Sequence, residues 1–355
     1  MTTRFPGRLA AITAALLATG LAASGCARED AGTDNSATDG GIVHVACGAT
    51  EDWCAATTKK FSETSGLKAD FVRLSSGEAL ARIKAGKGNA EFDVWYGGPA
   101  DGYSAASAES LLEPYVSPNA AAIPVKYKDA TGAWTGVYVG ALGFCSNQKV
   151  LAERGLSVPQ SWADLHNPKL AKEIGIAHPS TSGTAYTALW TQVQLAGGDQ
   201  GKGLDYMRKL HPNVLQYTKS GAAPAQMTAR GEVAVGVIFS HDCVATIEAG
   251  FPDLKVTFPA EGSGYETGGV ALVKGAKNPV SGKKFIDWAL TTEAQEIGPT
   301  VKAYQFPTHP DAKVSDKVVK LDSIKLVEYD AVAAGEAKTA LNKRFDAEVA
   351  QAPKS

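Results

Sequence analysis

Apolar and polar positions along this chain alternate between short strand-like runs and longer helical periods. Residues 42–47, Ile-Val-His-Val-Ala-Cys, form the mostly apolar run expected of a buried strand, and residues 52–64 read as a helix. Residues 68–74 predict a second strand, and Ser75 starts the next helix. Residues 92–96 predict a third strand, which ends in Gly97-Gly98-Pro99. This β-α-β-α-β opening implies a parallel sheet covered by helices. The alternation continues with strands at 174–177, 233–239 and 254–258, and with helices between them. A late apolar strand at 269–273 precedes helices over 283–290 and 331–349. At 355 residues the chain exceeds the ~250–300 over which a single core keeps growing, so two α/β lobes are expected. No internal repeat is present.

Two segments before residue 42 break this alternation. Arg4 and Arg8 precede an apolar run over residues 9–21, followed by Ala23-Ser24-Gly25-Cys26. The run is shorter than the ~20 residues that cross a bilayer, so it reads as the apolar region of an export signal. Gly25-Cys26 sits where a lipoprotein signal peptidase cuts, although Ala23 stands where leucine is commoner. Residues 1–25 are therefore read as signal peptide and Cys26 as the lipidated first residue. Residues 27–41, rich in Asp, Ser, Thr and Gly, are read as a solvated tether. An ordinary secretory signal with a chance cysteine is the alternative. The lipoprotein reading places the protein outside the cytoplasm, held to a bacterial membrane through lipid alone. The several chains of a lipoprotein anchor well where one does not.

The formal net charge is −2, and Lys and Arg do not cluster, which argues against a nucleic-acid partner. Beyond Cys26 there are four cysteines: Cys47, Cys54, Cys145 and Cys243. An even number in an exported protein suggests disulfides, and four allow three connectivities. Cys47 and Cys54 close a short loop between a strand and a helix, which pairs them and leaves Cys145 for Cys243. A zinc site is the rival, but no CxxC or HxxxH spacing supports it.

Candidate chemistry gathers at helix starts. In Leu74-Ser75-Ser76-Gly77-Glu78, Ser75 and Glu78 fit a capping box. Alternatively, Ser75 and Ser76 offer hydroxyls and free N–H groups to an anion. The second start is Pro179-Ser180-Thr181-Ser182-Gly183-Thr184-Ala185-Tyr186. Thr181, Ser182, Gly183 and Thr184 lie between a strand's carboxyl end and a helix's amino end, where open α/β sheets bind ligands. Gly98, at the end of the third strand, joins this candidate set. A plain Ser/Thr-rich loop is the competing reading. The GxxxxGK[ST] pattern is absent, so nucleotide hydrolysis has no support.

Phe239-Ser240-His241-Asp242-Cys243 follows another strand and places His241 and Asp242 where both face a cleft, or where they form a surface pair beside a disulfide. In Gly264-Tyr265-Glu266-Thr267-Gly268-Gly269 the glycines let the chain cross between lobes, with Glu266 at the cleft. A hydrolase triad is not supported. The Asp that orients a catalytic His usually comes from another segment, and GxSxG is missing. Neither catalysis nor a cofactor is expected.

Five motifs, in this order, carry a family resemblance. They are Cys47-Gly48-Ala49-Thr50-Glu51-Asp52-Trp53-Cys54, Ser75-Ser76-Gly77-Glu78, Phe92-Asp93-Val94-Trp95-Tyr96-Gly97-Gly98, Ser182-Gly183-Thr184-Ala185 and Tyr265-Glu266-Thr267-Gly268-Gly269. Together they resemble the bacterial extracellular solute-binding proteins of ABC importers, in the cluster holding ferric-ion, hexose-phosphate and aminophosphonate binders. The resemblance covers residues 42–355. It implies a two-lobed periplasmic-binding-protein fold with a strand hinge, closing on a ligand in the cleft between the lobes. One lobe would comprise 42–137 with 267–355, and the other 138–266. The implied partners are a small-molecule solute and the permease of the importer, and the receptor is expected to act as a monomer.

Ferric binders of this cluster resemble one another in a pair of adjacent tyrosines. No Tyr-Tyr occurs here, and His241-Asp242 stands in the corresponding place. A metal-binding receptor, with His241, Asp242 and Glu266 as ligands, remains the alternative. The hexose-phosphate binders look closer, with a Ser-Gly-Thr helix start for phosphate and a His, Asp and Glu around the sugar. A phosphoryl dianion suits the N–H and hydroxyl groups of Ser182, Gly183 and Thr184. A protonated His241 would add a donor. Asp242 and Glu266 would accept from a polyol or hold an ammonium. Trp95 and Tyr96 either stack on a sugar ring or are buried strand aromatics.

Overall fold

A computed structural model describes residues 41–351. The expected export signal, Cys26 and nearly all of the expected tether lie outside the described residues. The chain then opens with β1 (Val43–Cys47) and α1 (Glu51–Ser65). α1 stops at Gly66, whose left-handed φ of 71° suits a residue without a side chain. β2 (Ala69–Arg73), α2 (Ser76–Ala85), β3 (Val94–Pro99), α3 (Ala100–Ala108) and the short β4 (Leu112–Glu113) follow. The next strand, β5 (Thr135–Asn147), is 13 residues long and buried throughout. A strand covered on both faces shows no polar alternation, so the sequence pattern does not reveal it.

Past β5 come α4 (Gln148–Glu153), β6 (Ile174–Ala177), α5 (Gly183–Leu195), α6 (Gln200–Leu210) and β7 (Val214–Thr218). α7 (Ala223–Ala229), β8 (Val235–Phe239), α8 (Ser240–Glu248), β9 (Leu254–Thr257) and β10 (Tyr265–Val273) continue the alternation. α9 (Pro279–Ala289), α10 (Thr292–Gln295), β11 (Phe306–Pro307) and α11 (Ala331–Glu348) complete it. No described helix is long and apolar enough to cross a membrane.

β5 belongs to two sheets. From Thr135 to Ala141 it pairs antiparallel with β10, and from Leu142 onward with β8 and β9. The strand path is β2-β1-β3-β10-β5-β8-β6-β7, with β4, β9 and β11 attached beside it. β1 is parallel to β2 and β3 in the first sheet, and β6 is parallel to β7 and β8 in the second. The expected lobe boundary after Val137 falls inside β5, and the change of sheet comes four residues later, at Ala141–Leu142. α11 was expected with the first lobe. Its Ala334, Leu341 and Phe345 join the apolar core of the second sheet, while its Gly335 lies against α3.

Trp95 and Tyr96 belong to the packed interior. Trp95 stacks on Tyr103 with centroids 4.1 Å apart, and Tyr96 meets Trp53 and Phe285 edge-on. Both are buried and away from the cleft, so the sugar-stacking expectation gives way to the packing one. Two disulfides, Cys47–Cys54 and Cys145–Cys243, join the cysteines as expected. The first ties the end of β1 to α1, and the second ties β5 to α8.

These bridges close loops of very different length, with sequence separations of 7 and 98. Chain entropy then makes the longer one worth ~5 kcal/mol and the shorter ~2 kcal/mol. Double Cys→Ala replacement of each pair, followed by urea denaturation, is expected to reproduce that order. Equal losses, or the reverse order, would refute the entropic account.

Candidate functional site

Three strands of each sheet end at one cleft, and a helix starts beyond each. One wall holds Gly48, Ala49 and Thr50 before α1, Ser75 and Ser76 at α2, and Gly98 and Pro99 before α3. The facing wall holds Ser182, Gly183 and Thr184 at α5, Gly221 and Ala222 before α7, and His241 and Asp242 in α8. Arg73, Tyr138, Phe239, Glu266 and Gln305 complete the lining. Six helices therefore begin at the cleft. Each brings unpaired N–H groups and the positive end of its dipole, so the cleft favours negative charge before any side chain is counted.

The walls touch. The Gly77 N–H donates to Thr181 O across the cleft at 3.1 Å. A Cβ on Gly183 would lie 2.6 Å from Pro99 Cδ, so only glycine fits this contact. At α5, Ser182 N donates to His178 O (2.9 Å), and Ser182 Oγ caps the helix by accepting from Ala185 N (3.3 Å). The N–H groups of Gly183 and Thr184, and the hydroxyls of Thr184 and Ser76, have no protein partner among the described residues.

The expected residues divide by role. Ser75 is the cap of α2: its N and Oγ both donate to Glu78 Oε2, at 3.0 and 2.7 Å, which holds that carboxyl below its ordinary pKa. Ser76 is the serine that remains for a ligand. Gly98 lines the cleft, but its N–H already donates to Tyr138 Oη (2.9 Å). Thr181 is not in the lining. Its hydroxyl donates to His178 O and Lys219 O, so it braces the loop instead.

The other part of the cleft is acidic and imidazole-bearing. His241 Nε2 lies 3.9 Å from Asp242 Oδ1 and 3.8 Å from Glu266 Oε1. Gly140 makes room for this group, since a Cβ there would lie 2.7 Å from His241 Nδ1. Burial pushes His241 down to about 3, so the imidazole is neutral. This corrects the expectation of a protonated donor: His241 donates as a neutral ring, and its buried Nδ1 has no protein partner. Burial pushes the Asp242 carboxyl up to about 7, opposed in part by Arg73. Burial also raises Glu266 well above its ordinary value, with Asp242 and Asp101 adding to the effect.

Several lining residues carry no motif. Arg73 donates from Nε to Ala49 O (3.2 Å) and forms no ion pair among the described residues, which leaves its remaining N–H groups available. Its signal in the sequence was only a lone base at a strand end before a helix start. Gln305 brings a buried Oε1 without a partner, and nothing in its sequence neighbourhood marks it. Thr50 and Tyr138 were equally unmarked. The metal alternative fares poorly: no group of three or more His, Cys, Asp or Glu among the described residues is arranged to hold a metal ion.

Comparison with known proteins gives a consistent picture. The model of the family described as "Bacterial extracellular solute-binding protein" matches residues 56–324. A protein of Haemophilus influenzae strain Rd, itself uncharacterized, is 41% identical over 325 residues, 90% of each chain. The periplasmic binding protein AfuA of Actinobacillus pleuropneumoniae, solved with fructose-6-phosphate bound, superposes with a TM-score of 0.84 and 41% identity. The match covers 87% of this chain and 98% of that one. The ferric binding protein of Campylobacter jejuni superposes at 0.73 with 19% identity, over 86% and 98%, and shares the fold. The fold is thus the two-lobed α/β architecture that the sequence resemblance implied.

The raised Asp242 carboxyl has a consequence for stability. Between its ordinary value of 3.8 and about 7, folded Asp242 keeps a proton that the unfolded chain has released. Its contribution is whole below the unfolded value and is lost as pH rises through the folded one. Asp242→Asn removes that loss. Without added solute, the stability of the variant relative to wild type is expected to increase between about pH 4.5 and about pH 7.5. A difference that stays flat in denaturant titrations at the two pH values contradicts the shift.

Proposed function

The chain belongs to the bacterial extracellular solute-binding proteins, and on that premise we propose that it captures a small phosphorylated organic solute in this cleft and delivers it to an importer's permease. The observation that carries the reading is the meeting of two chemistries in one cleft. Free N–H groups of helix starts, the Ser76 and Thr184 hydroxyls and Arg73 suit a phosphoryl or phosphonyl dianion. His241, Asp242 and Glu266 suit the hydroxyls of a sugar or the ammonium of an aminophosphonate. The likeness to AfuA, solved with fructose-6-phosphate, supports the same class. No group in this reading breaks a bond, and the protein acts as a receptor.

The lobes in this reading are built on the two sheets, which β5 leaves one for the other at Ala141–Leu142, with α11 packed into the core of the second, and they rotate about the crossing of β5 and β10 to enclose the solute. Cys26 carries the lipid, and residues 27–41 span the distance to the folded part. The lipid keeps the receptor near its permease at an extracytoplasmic membrane surface. Mass spectrometry of the mature protein is expected to find an acylated Cys26 at its amino terminus. An unmodified or differently cut terminus would mean a freely diffusing receptor.

Titration calorimetry with fructose 6-phosphate, 2-aminoethylphosphonate, inorganic phosphate and ferric citrate tests the ligand class. Tight binding of at least one organophosphorus compound, and none of iron, is expected. Ferric binding with no response to the others would refute it. Thr184→Val and Asp242→Ala should each weaken binding by ~1–3 kcal/mol, the penalty for leaving a buried polar partner unmatched. Unchanged affinity in both would remove these residues from the site.

A further inference from the structure

One buried ammonium joins three helices behind the cleft. Lys338, on α11, is only 5% exposed, and its Nζ lies 2.5 Å from Oδ2 of the fully buried Asp101. Asp101 sits in the first turn of α3, immediately after the cleft residues Gly98 and Pro99. The same Nζ stands 3.6 Å over the ring of Tyr186, in the first turns of α5, immediately after Ser182-Gly183-Thr184. Tyr186 Oη in turn donates to Ala334 O of α11 at 2.5 Å. α3 follows a strand of the first sheet and α5 a strand of the second. The ammonium therefore connects the two helix starts that face each other across the anion side of the cleft.

The surrounding packing keeps this connection tight. Gly335 lets α11 approach α3 so closely that a Cβ there would lie 2.8 Å from Ala105 N and Asp101 O. Leu341 and Phe345 fix the other part of α11 in the core of the second sheet. Beyond them, His178 Nε2 donates to Ala350 O at 2.9 Å, and its ring packs edge-on against Phe345. The loop after β6 that carries Ser182 is thus held to the same carboxyl-terminal segment. A buried ion pair contributes little net stability, and a cation over a ring adds modestly. What such a pair can supply is geometry, because breaking one side leaves a buried charge unmatched.

We propose that Lys338 and Asp101 are a positioning pair: through Tyr186 they hold the amino ends of α3 and α5 at the separation that the solute's phosphoryl group requires. Neither side chain lines the cleft, so both act through the helices they join. The proposal rests on the phosphorylated-solute reading for its ligand, and the experiment separates the two. Lys338→Met alone strands the Asp101 carboxylate and endangers folding, so the deciding variant is Asp101→Asn combined with Lys338→Met, which removes both charges at similar volume.

Without solute, the double variant is expected to melt within a few degrees of wild type. Bound fructose 6-phosphate should leave it about tenfold faster or more, the scale on which small misplacements act, and the phosphorus NMR resonance of the bound ester should move. A wild-type dissociation rate with an unmoved resonance would overturn the proposal. If wild type binds no organophosphorus compound, the solute reading fails instead. The pair is then judged by small-angle scattering of the solute-free proteins: a larger radius for the double variant upholds it, and equal radii reject it. If the double variant melts far below wild type, the pair is a stability element and the proposal is likewise rejected.

Discussion

The sharing of β5 between two sheets governs the rest of this molecule. One continuous strand pairs with β10 along its first half and with β8 and β9 along its second, so the two sheets cannot be arranged independently. The parallel strands of each then end at the same cleft. The helices that must follow those strands all present their amino ends there. No single residue creates the positive character of the site. It follows from strand order, and the Ser, Thr and Gly residues at the helix starts let a ligand come close enough to use it.

The opposite chemistry on the far side of the cleft needs a different physical account. His241 and Glu266 are buried and Asp242 is mostly so, and desolvation opposes charge on each of them, raising the two acids and lowering the imidazole. The result is a polar surface of low net charge placed beside a strongly anion-seeking one. A solute with a charged head and a neutral, hydrogen-bonding body matches both parts. Inorganic phosphate matches only the first, so the proposed solute differs from the free anion in the part it presents to His241, Asp242 and Glu266.

Much of this was legible in the residues. The helix starts at Ser75 and Ser182, and the His241-Asp242 and Glu266 positions, came from turn chemistry at strand ends, where local sequence and tertiary role coincide. β5 did not, because burial on both faces erases the polar alternation that marks a strand. Trp95 and Tyr96 were ambiguous for the same reason: aromatics in a strand look alike whether they meet a ligand or the core. Gln305 reaches the cleft from a segment distant in sequence, so only the assembled fold connects it with the site, and Arg73, two residues before Ser75, carried no motif to mark it. The neutral state of His241 was also hidden, since a reference pKa near neutrality says nothing about the burial that displaces it.

The two disulfides acquire a different meaning once their positions are compared. Cys47–Cys54 fastens the loop Gly48–Thr50 on one wall, and Cys145–Cys243 fastens the first turn of α8, with His241 and Asp242, on the other. Each wall therefore carries a covalent tie that thiol oxidation forms. The two covalent bridges thus brace opposite walls of one cleft, each beside residues that line it.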